Sequence, residues 1–183
     1  MGSSRTYPLR EDLAAVCGQP QVRKATVREI KALLELINFY AAQGIMLPRN
    51  EFELAENLRD FTVAVEDDRL LACGALHLYT PESAEIRSLA VAPGAQGRGL
   101  GRALVESLEE EARSLGLTAV FAFTYIPVFF RKLGYLEVDR GELPLKAWKD
   151  CLRCPKFQRC DEVALLKRLG PTGSPGTGRG TEL

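Results

Sequence analysis

Glu85 and Arg87 lie two positions apart in the run Ala84-Glu85-Ile86-Arg87-Ser88-Leu89-Ala90-Val91, and the glycine-rich stretch Gln96-Gly97-Arg98-Gly99-Leu100-Gly101-Arg102 follows it closely. On an extended strand alternate side chains share a face. The carboxylate and the guanidinium would therefore project into the same space, where one can take up a proton and the other can grip a carboxylate. The same spacing also describes an ordinary ion pair on an exposed strand. The glycine-rich stretch offers different chemistry. A helix beginning there opens with several backbone N–H groups that lack partners and with a partial positive charge, and glycines let a ligand approach the main chain. With Arg98 and Arg102 adding positive charge, such a turn can hold a diphosphate. Neither G-x-G-x-x-G nor G-x-x-x-x-G-K-[ST] occurs in it, so it is neither a Rossmann fingerprint nor a P-loop.

Positioning these groups requires a strand that runs directly into a helix. Ile86, Leu89 and Val91, closed off by Pro93 and Gly94, predict the strand. Leu104, Val105, Leu108, Ala112 and Leu115 recur at helical spacing and predict a helix over residues 100–115. Glu106, Glu109, Glu110, Glu111 and Arg113 fall on its other face, and Gly116 is its stop. Strict alternation puts Glu85, Arg87, Leu89 and Val91 on one strand face and Ala84, Ile86, Ser88 and Ala90 on the other.

Upstream, the pattern predicts a strand over 22–27, an amphipathic helix from Ile30 that ends at Gly44, and a short helix capped by Asn50 and running towards Leu58. Two strands over 61–66 and 70–79 then form a hairpin about Asp67, Asp68 and Arg69. Downstream it predicts a strand over 119–124, a short helix over 128–133, a strand over 135–139, an irregular basic segment from 143 to 160, and a last strand over 162–166. Residues 1–20 read as a loosely held leader, 21–169 as one domain, and 170–183 as a disordered tail.

Gln96-Gly97-Arg98-Gly99-Leu100-Gly101 resembles the Q/R-x-x-G-x-G/A acyl-CoA loop of the GNAT superfamily of N-acetyltransferases. The resemblance extends to the preceding strand, the helix start at Gly101-Arg102-Ala103-Leu104, and Phe129-Phe130-Arg131-Lys132-Leu133-Gly134-Tyr135, which is similar to the family's aromatic-x-K-x-G-[FY] segment. It implies an α/β fold with a mixed central sheet flanked by helices, and acetyl-CoA as cosubstrate. The coenzyme's pantetheine arm would lie along the main chain of Leu89, Ala90 and Val91, and its diphosphate would lie on residues 96–102.

Acetyl transfer from a thioester to an amine needs a base for the amine and a proton for the departing thiolate. Glu85 is the candidate base. A guanidinium beside a carboxylate weakens it as a base, and an acidic substrate that occupies Arg87 would relieve this. Many GNAT enzymes place a tyrosine proton donor where this chain has Phe130, which leaves Tyr125 and Thr124 as the nearest hydroxyls by chain order. Their alternative reading is strand-end packing for the phenol and a turn hydroxyl for the threonine. Water can equally protonate so good a leaving group.

Four segments carry a narrower resemblance: Gly44-Ile45-Met46-Leu47-Pro48-Arg49, the strand at 84–91, Val120-Phe121-Ala122-Phe123-Thr124, and the stretch from Leu143 to Lys156. Together they are similar to the acetyltransferase domain of bacterial N-acetylglutamate synthases, in the short form that lacks an amino-acid-kinase domain. The resemblance implies transfer to the α-amine of L-glutamate, the first step of arginine biosynthesis. Glutamate carries two carboxylates, and Arg49, Arg87 and Lys146 are the candidate groups to meet them. Another amine (glutamine, a protein N-terminus, a small molecule) or a non-catalytic acyl-CoA sensor remains an alternative.

Bulk properties limit the rest. The chain has 183 residues, 46% of them hydrophobic, which is enough for one core. Lys+Arg and Asp+Glu are equal at 24 each, which argues against a nucleic-acid binder. No transmembrane run or signal pattern occurs, and an odd count of five cysteines fits a reducing compartment, so the expectation is a cytoplasmic protein, for which the resemblance implies a small-molecule amino acid as substrate. Homodimers are common in the family. Cys151, Cys154 and Cys160 have zinc-like spacing, but no histidine follows them, the chain's one histidine is His77, and a fourth ligand would have to come from elsewhere, so no metal is assigned.

Overall fold

A computed structural model describes residues 18–143, 152, 156 and 159–170. The strands are β1 (Gln21–Lys24), β2 (Phe61–Glu66), β3 (Arg69–Thr80), β4 (Ser83–Val91), β5 (Ala119–Thr124), β6 (Leu136–Glu137) and β7 (Val163–Arg168). Among the described residues they make one seven-stranded sheet in the order β1-β2-β3-β4-β5-β7-β6, with β4 and β5 parallel and the other neighbours antiparallel. The helices are α1 (Ile30–Ala41), α2 (Glu51–Glu56), α3 (Leu100–Ser114) and α4 (Pro127–Arg131).

Helical periodicity accounts for the two layers. α1 buries Leu33, Leu36 and Ile37 against Val63, Cys73, Ala75 and Ala90 on one face of the sheet. α3 buries Leu104, Val105, Leu108 and Ala112 on the opposite face, against Leu76, Ala84, Ile86, Ala64 and Ala72. Glu109, expected on the solvent face of α3, is 3% exposed. It lies between α3 and β7, where Lys167 donates to both its oxygens at 2.6 and 2.8 Å and Arg113 adds a third bond at 3.3 Å. A charge that is paired in this way is tolerated inside.

Several boundaries moved for local reasons. The first strand ends at Lys24 because Thr26 and Glu29 close a capping box over the one-turn helix Val27–Glu29. α1 ends at Ala41, before Gly44 takes φ +70°. The expected strand at 135–139 is reduced to Leu136–Glu137, because Asp139 caps the following turn. The segment 144–151, with Lys146 and Trp148, lies outside the described residues.

Two irregularities in β4 shape the site. Cys73 pairs with Ala90 and Ala75 with Arg87, so Ser88 and Leu89 together oppose the single residue Gly74, and Ser88 sits at φ +53°. This β-bulge breaks the expected alternation. Glu85 and Arg87 face the α1 side with Ala90, whereas Leu89 and Val91 turn to the α3 side, where a Cβ on Gly74 would stand 3.1 Å from the Leu89 side chain. The second irregularity is the short ladder to β5. It runs through Ser83–Ala119, Ala84–Val120 and Glu85–Phe121 and ends there, although both strands continue. A bulged strand bends, and beyond Glu85 the sheet opens into a cleft.

Candidate active site

The cleft is a cavity of about 1000 Å³. One wall is β4 from Glu85 to Val91, and the other is the end of β5 with Thr124, Tyr125 and Phe129 of α4. The loop between α1 and α2, ending at Arg49, closes one side, and the first turn of α3 closes another.

At the α3 end the site is made of main chain. Gly97 and Gly99 adopt φ +77° and +78°, where glycine alone is unstrained, and a Cβ on either would meet open space. Gly99 serves as the N-cap without a side-chain bond, and the first intrahelical bond runs from Ala103 N–H to the Gly99 carbonyl. The N–H groups of Leu100, Gly101 and Arg102 therefore have no helical carbonyl to meet and point out of the helix start. A Cβ on Gly101 would stand 3.4 Å from the Phe129 ring, a close but ordinary contact.

The two arginines of this turn go different ways. Arg102 lines the cavity and bonds Glu106 one turn on, at 3.3 Å. The Arg98 guanidinium instead makes two bonds to Glu66 on β2, at 2.6 and 3.1 Å, and Arg98 is not among the cavity-lining residues. That guanidinium holds the Glu66 carboxyl below its usual range.

At the other end the site is made of side chains. Glu85 and Arg87 reach it from β4, and Arg49 reaches it from the α1–α2 loop. Thr124 and Tyr125 stand on the facing wall, and the Thr124 hydroxyl accepts from Ile126 N–H at 3.0 Å, as a turn hydroxyl does. The Tyr125 hydroxyl accepts from Lys156 Nζ at 3.3 Å. Burial pushes this phenol above its ordinary pKa, and the lysine works in the opposite direction. Phe130, at the position where a tyrosine would serve, is 3% exposed and packs edge-on against Tyr135 and Phe129.

Tyr40, Arg140, Lys156 and Glu162 line the cavity with no sequence signal of their own, together with Cys160, which the sequence offered only as a metal ligand. The Arg140 guanidinium ties down two of these by donating to the backbone carbonyls of Cys160, at 3.2 Å, and Glu162. Burial raises the Glu162 carboxyl above its ordinary range against the lowering effect of the Cys160 thiol, whose sulfur lies 3.6 Å from Oε2. Lys156, from the basic segment, lines the cavity, and only the density of basic residues there pointed to it; the Lys146 position lies outside the described residues. Cys151 and Cys154 lie outside the described residues, among which no three His, Cys, Asp or Glu side chains cluster as a metal site. His77 is structural, with Nδ1 2.6 Å from Asp60 Oδ2.

A mixed sheet flanked by helices, with a glycine-rich turn running from the strand 84–91 into a helix start, is the arrangement that the sequence resemblance implied. The family model described as the acetyltransferase (GNAT) family matches residues 28–135. The chain belongs to the GNAT family. It shares 40% identity over 148 residues with an uncharacterized N-acetyltransferase of Chlorobaculum tepidum, covering 81% of this chain and 96% of that one. An amino-acid acetyltransferase of Mycobacterium tuberculosis is 36% identical over 138 residues, 74% of this chain and 79% of the relative. Among solved structures, N-acetylglutamate synthase from Neisseria gonorrhoeae, complexed with coenzyme A and N-acetyl-glutamate, superposes with a TM-score of 0.77 at 28% identity. The match covers 84% of this chain and 36% of the synthase, so this GNAT chain spans about a third of that longer protein. Among its described residues no helix is long and apolar enough to cross a membrane.

Proposed function

We propose that this GNAT enzyme transfers the acetyl group of acetyl-CoA to the α-amine of L-glutamate, as in the first step of arginine biosynthesis, in the cytoplasm. The observation that carries the reading is the position of Glu85. It lines the cleft at the point where the β4–β5 ladder ends, in the same cavity as the glycine-rich start of α3 and as Arg49, Arg87 and Lys156. The α3 turn suits a diphosphate, the opened edge of β4 suits an amide-bearing arm, and the cations suit an acceptor with two carboxylates.

In this reading Glu85 takes the proton that the α-ammonium must lose before its nitrogen attacks the thioester carbonyl. Arg87, on the same strand face, and Arg49, across the cleft, hold the two carboxylates and aim the amine. Lys156 adds a third cation and keeps Tyr125 oriented. Tyr125, held neutral by its burial, can give the leaving thiolate a proton, with Thr124 beside it as the second hydroxyl. The amino-acid acetyltransferase of M. tuberculosis and the gonococcal synthase support an amino-acid acceptor.

A panel of amino acids in an acetyl-CoA consumption assay, with and without added arginine, tests the proposal. Turnover of glutamate far above that of neutral and cationic amino acids is the expected result. Preference for glutamine would redraw the side-chain pocket, and consumption of no amino acid would end the reading.

A further inference from the structure

The last turn of α1 touches both ends of the cleft through two side chains that are not themselves at the reacting centre. Asn38 uses its amide as a strand partner would. Its Nδ2 donates to the Arg49 carbonyl at 2.9 Å, and its Oδ1 accepts the Arg49 N–H at 2.9 Å. Both polar groups of the Arg49 backbone are thus fixed by one side chain, which sets the direction in which the Arg49 side chain leaves the loop. The loop needs such a tie. It turns through Gly44 at φ +70°, and residues 42–45 are exposed.

Two residues further on, the Tyr40 hydroxyl donates to the Val91 carbonyl at 2.5 Å and accepts from Gln96 Nε2 at 3.0 Å. Val91 is the last residue of β4, and Gln96 opens the glycine-rich turn. The bonds run in one direction, from the Gln96 amide through the phenol to the strand carbonyl. They therefore fix the distance between the end of the strand and the start of the turn, which is the junction that a coenzyme spanning both must match. With 3.6 residues per turn, side chains two apart leave a helix about 200° apart, so one turn can reach in two opposed directions. Leu33, Leu36 and Ile37 bury the same helix in the core and make it a rigid base.

We propose that Asn38 and Tyr40 are positioning residues with separate charges: Asn38 aims Arg49 at the acceptor, Tyr40 sets the coenzyme junction, and each governs the affinity for one substrate alone. The proposal rests on the reading of the cleft as a joint site for acetyl-CoA and an acidic amino acid.

The test is a double dissociation. Tyr40→Phe removes only the hydroxyl and keeps a ring that packs edge-on against Phe39. The Kd of CoA, measured by calorimetry, and the KM of acetyl-CoA should rise about five- to tenfold, the range expected for one hydrogen bond, while the KM of glutamate stays within about twofold. Asn38→Ala should do the reverse, raising the KM of glutamate about tenfold and leaving the Kd of CoA in place. Asn38→Asp keeps the acceptor for the Arg49 N–H and loses the donor to its carbonyl, so it should fall between wild type and Asn38→Ala. It also serves if the alanine variant is too unstable to assay. Variants that raise both constants together, or that lower only the thermal midpoint, would overturn the proposal. A wild type that binds CoA but acetylates no amino acid would instead refute the functional reading and the Asn38 half with it, while the Kd of Tyr40→Phe would still decide the other half.

Discussion

The two ends of the cleft are built from different materials. At the α3 end the functional groups are main-chain N–H groups presented by consecutive residues, and the side chains that matter are largely the missing ones of Gly97, Gly99 and Gly101. At the acceptor end the groups are side chains delivered by separate elements: Arg49 from a loop, Glu85 and Arg87 from β4, Tyr125 from the end of β5, and Lys156 and Glu162 from the approach to β7. A backbone site is fixed as soon as one helix starts in the right place. A side-chain site needs several elements in register, and it can change its ligand by exchanging one residue. The coenzyme end should therefore be common to relatives with many acceptors, and specificity should reside at the other end.

If that division is right, substitutions at the two ends should move different constants. The largest effect is expected from Glu85→Gln, which keeps the shape and loses the proton acceptor. kcat should fall about 10²- to 10⁴-fold, the usual contribution of a general base, with the Kd of CoA unchanged. Retained activity would move the base elsewhere in the cleft. Next come Arg87→Ala and Arg49→Ala, each of which removes a charge-assisted grip. The KM of glutamate should rise about 10- to 100-fold for either, with little change for acetyl-CoA. Equal losses for glutamate and for neutral amino acids would deny both arginines a carboxylate.

At the backbone end the effects should be smaller and should follow the backbone angles. Gly99→Ala forces a Cβ into the left-handed region at φ +78°, at a cost of about 1–2 kcal/mol, and should weaken CoA binding about tenfold without altering the choice of acceptor. Gly101→Ala keeps helical angles and meets the Phe129 ring at 3.4 Å and the Val91 side chain at 3.8 Å, ordinary contact distances, so its loss should be less than that of Gly99→Ala. The reverse order, read by calorimetry, would mean that the helix start is held by packing and not by backbone conformation.

The same division explains what could be read in the sequence. The strand–turn–helix of 84–114 was legible because its chemistry and its structure lie in one continuous stretch: Pro93 and Gly94 end the strand, the glycines open the turn, and the leucine spacing of α3 follows at once. The bulge at Ser88 was not legible. Nothing in the residue types says that Gly74, fourteen positions earlier, will face two residues instead of one, so simple alternation misplaced Leu89 and Val91. Glu109 was misread because helical periodicity shows where a side chain points but not that Lys167 of β7 will be waiting there. Tyr40 and Glu162 escaped for the same reason, since their partners at Val91, Gln96 and Arg140 are distant in sequence or lie in irregular chain.

The smallest expected effect also concerns the acceptor end, and it tests whether that end is strained by its own charges. Glu162 lies on the cavity wall with Cys160, Lys156 and Tyr125 near it, Asp161 beside it and Arg140 bound to its carbonyl, and burial is the main reason its carboxyl holds a proton more tightly than a free one. A carboxyl whose pKa is raised by folding favours the folded state while it is protonated. Its contribution is fully present below the unfolded value of about 4.3 and is lost as pH rises through the raised folded value. Glu29 behaves in the opposite sense: Arg23 and the Thr26 cap hold it at about 2, and its contribution is lost only as pH falls towards that value. Thermal midpoints of wild type and Glu162→Gln, compared from about pH 4.5 to neutrality, should therefore diverge, with the variant gaining relative to wild type as pH rises. Parallel curves would show that Glu162 ionises as freely in the fold as out of it. Such a carboxylate would add full negative charge beside the acceptor, and the balance of cations at this end would then have to be reckoned with one more anion among them.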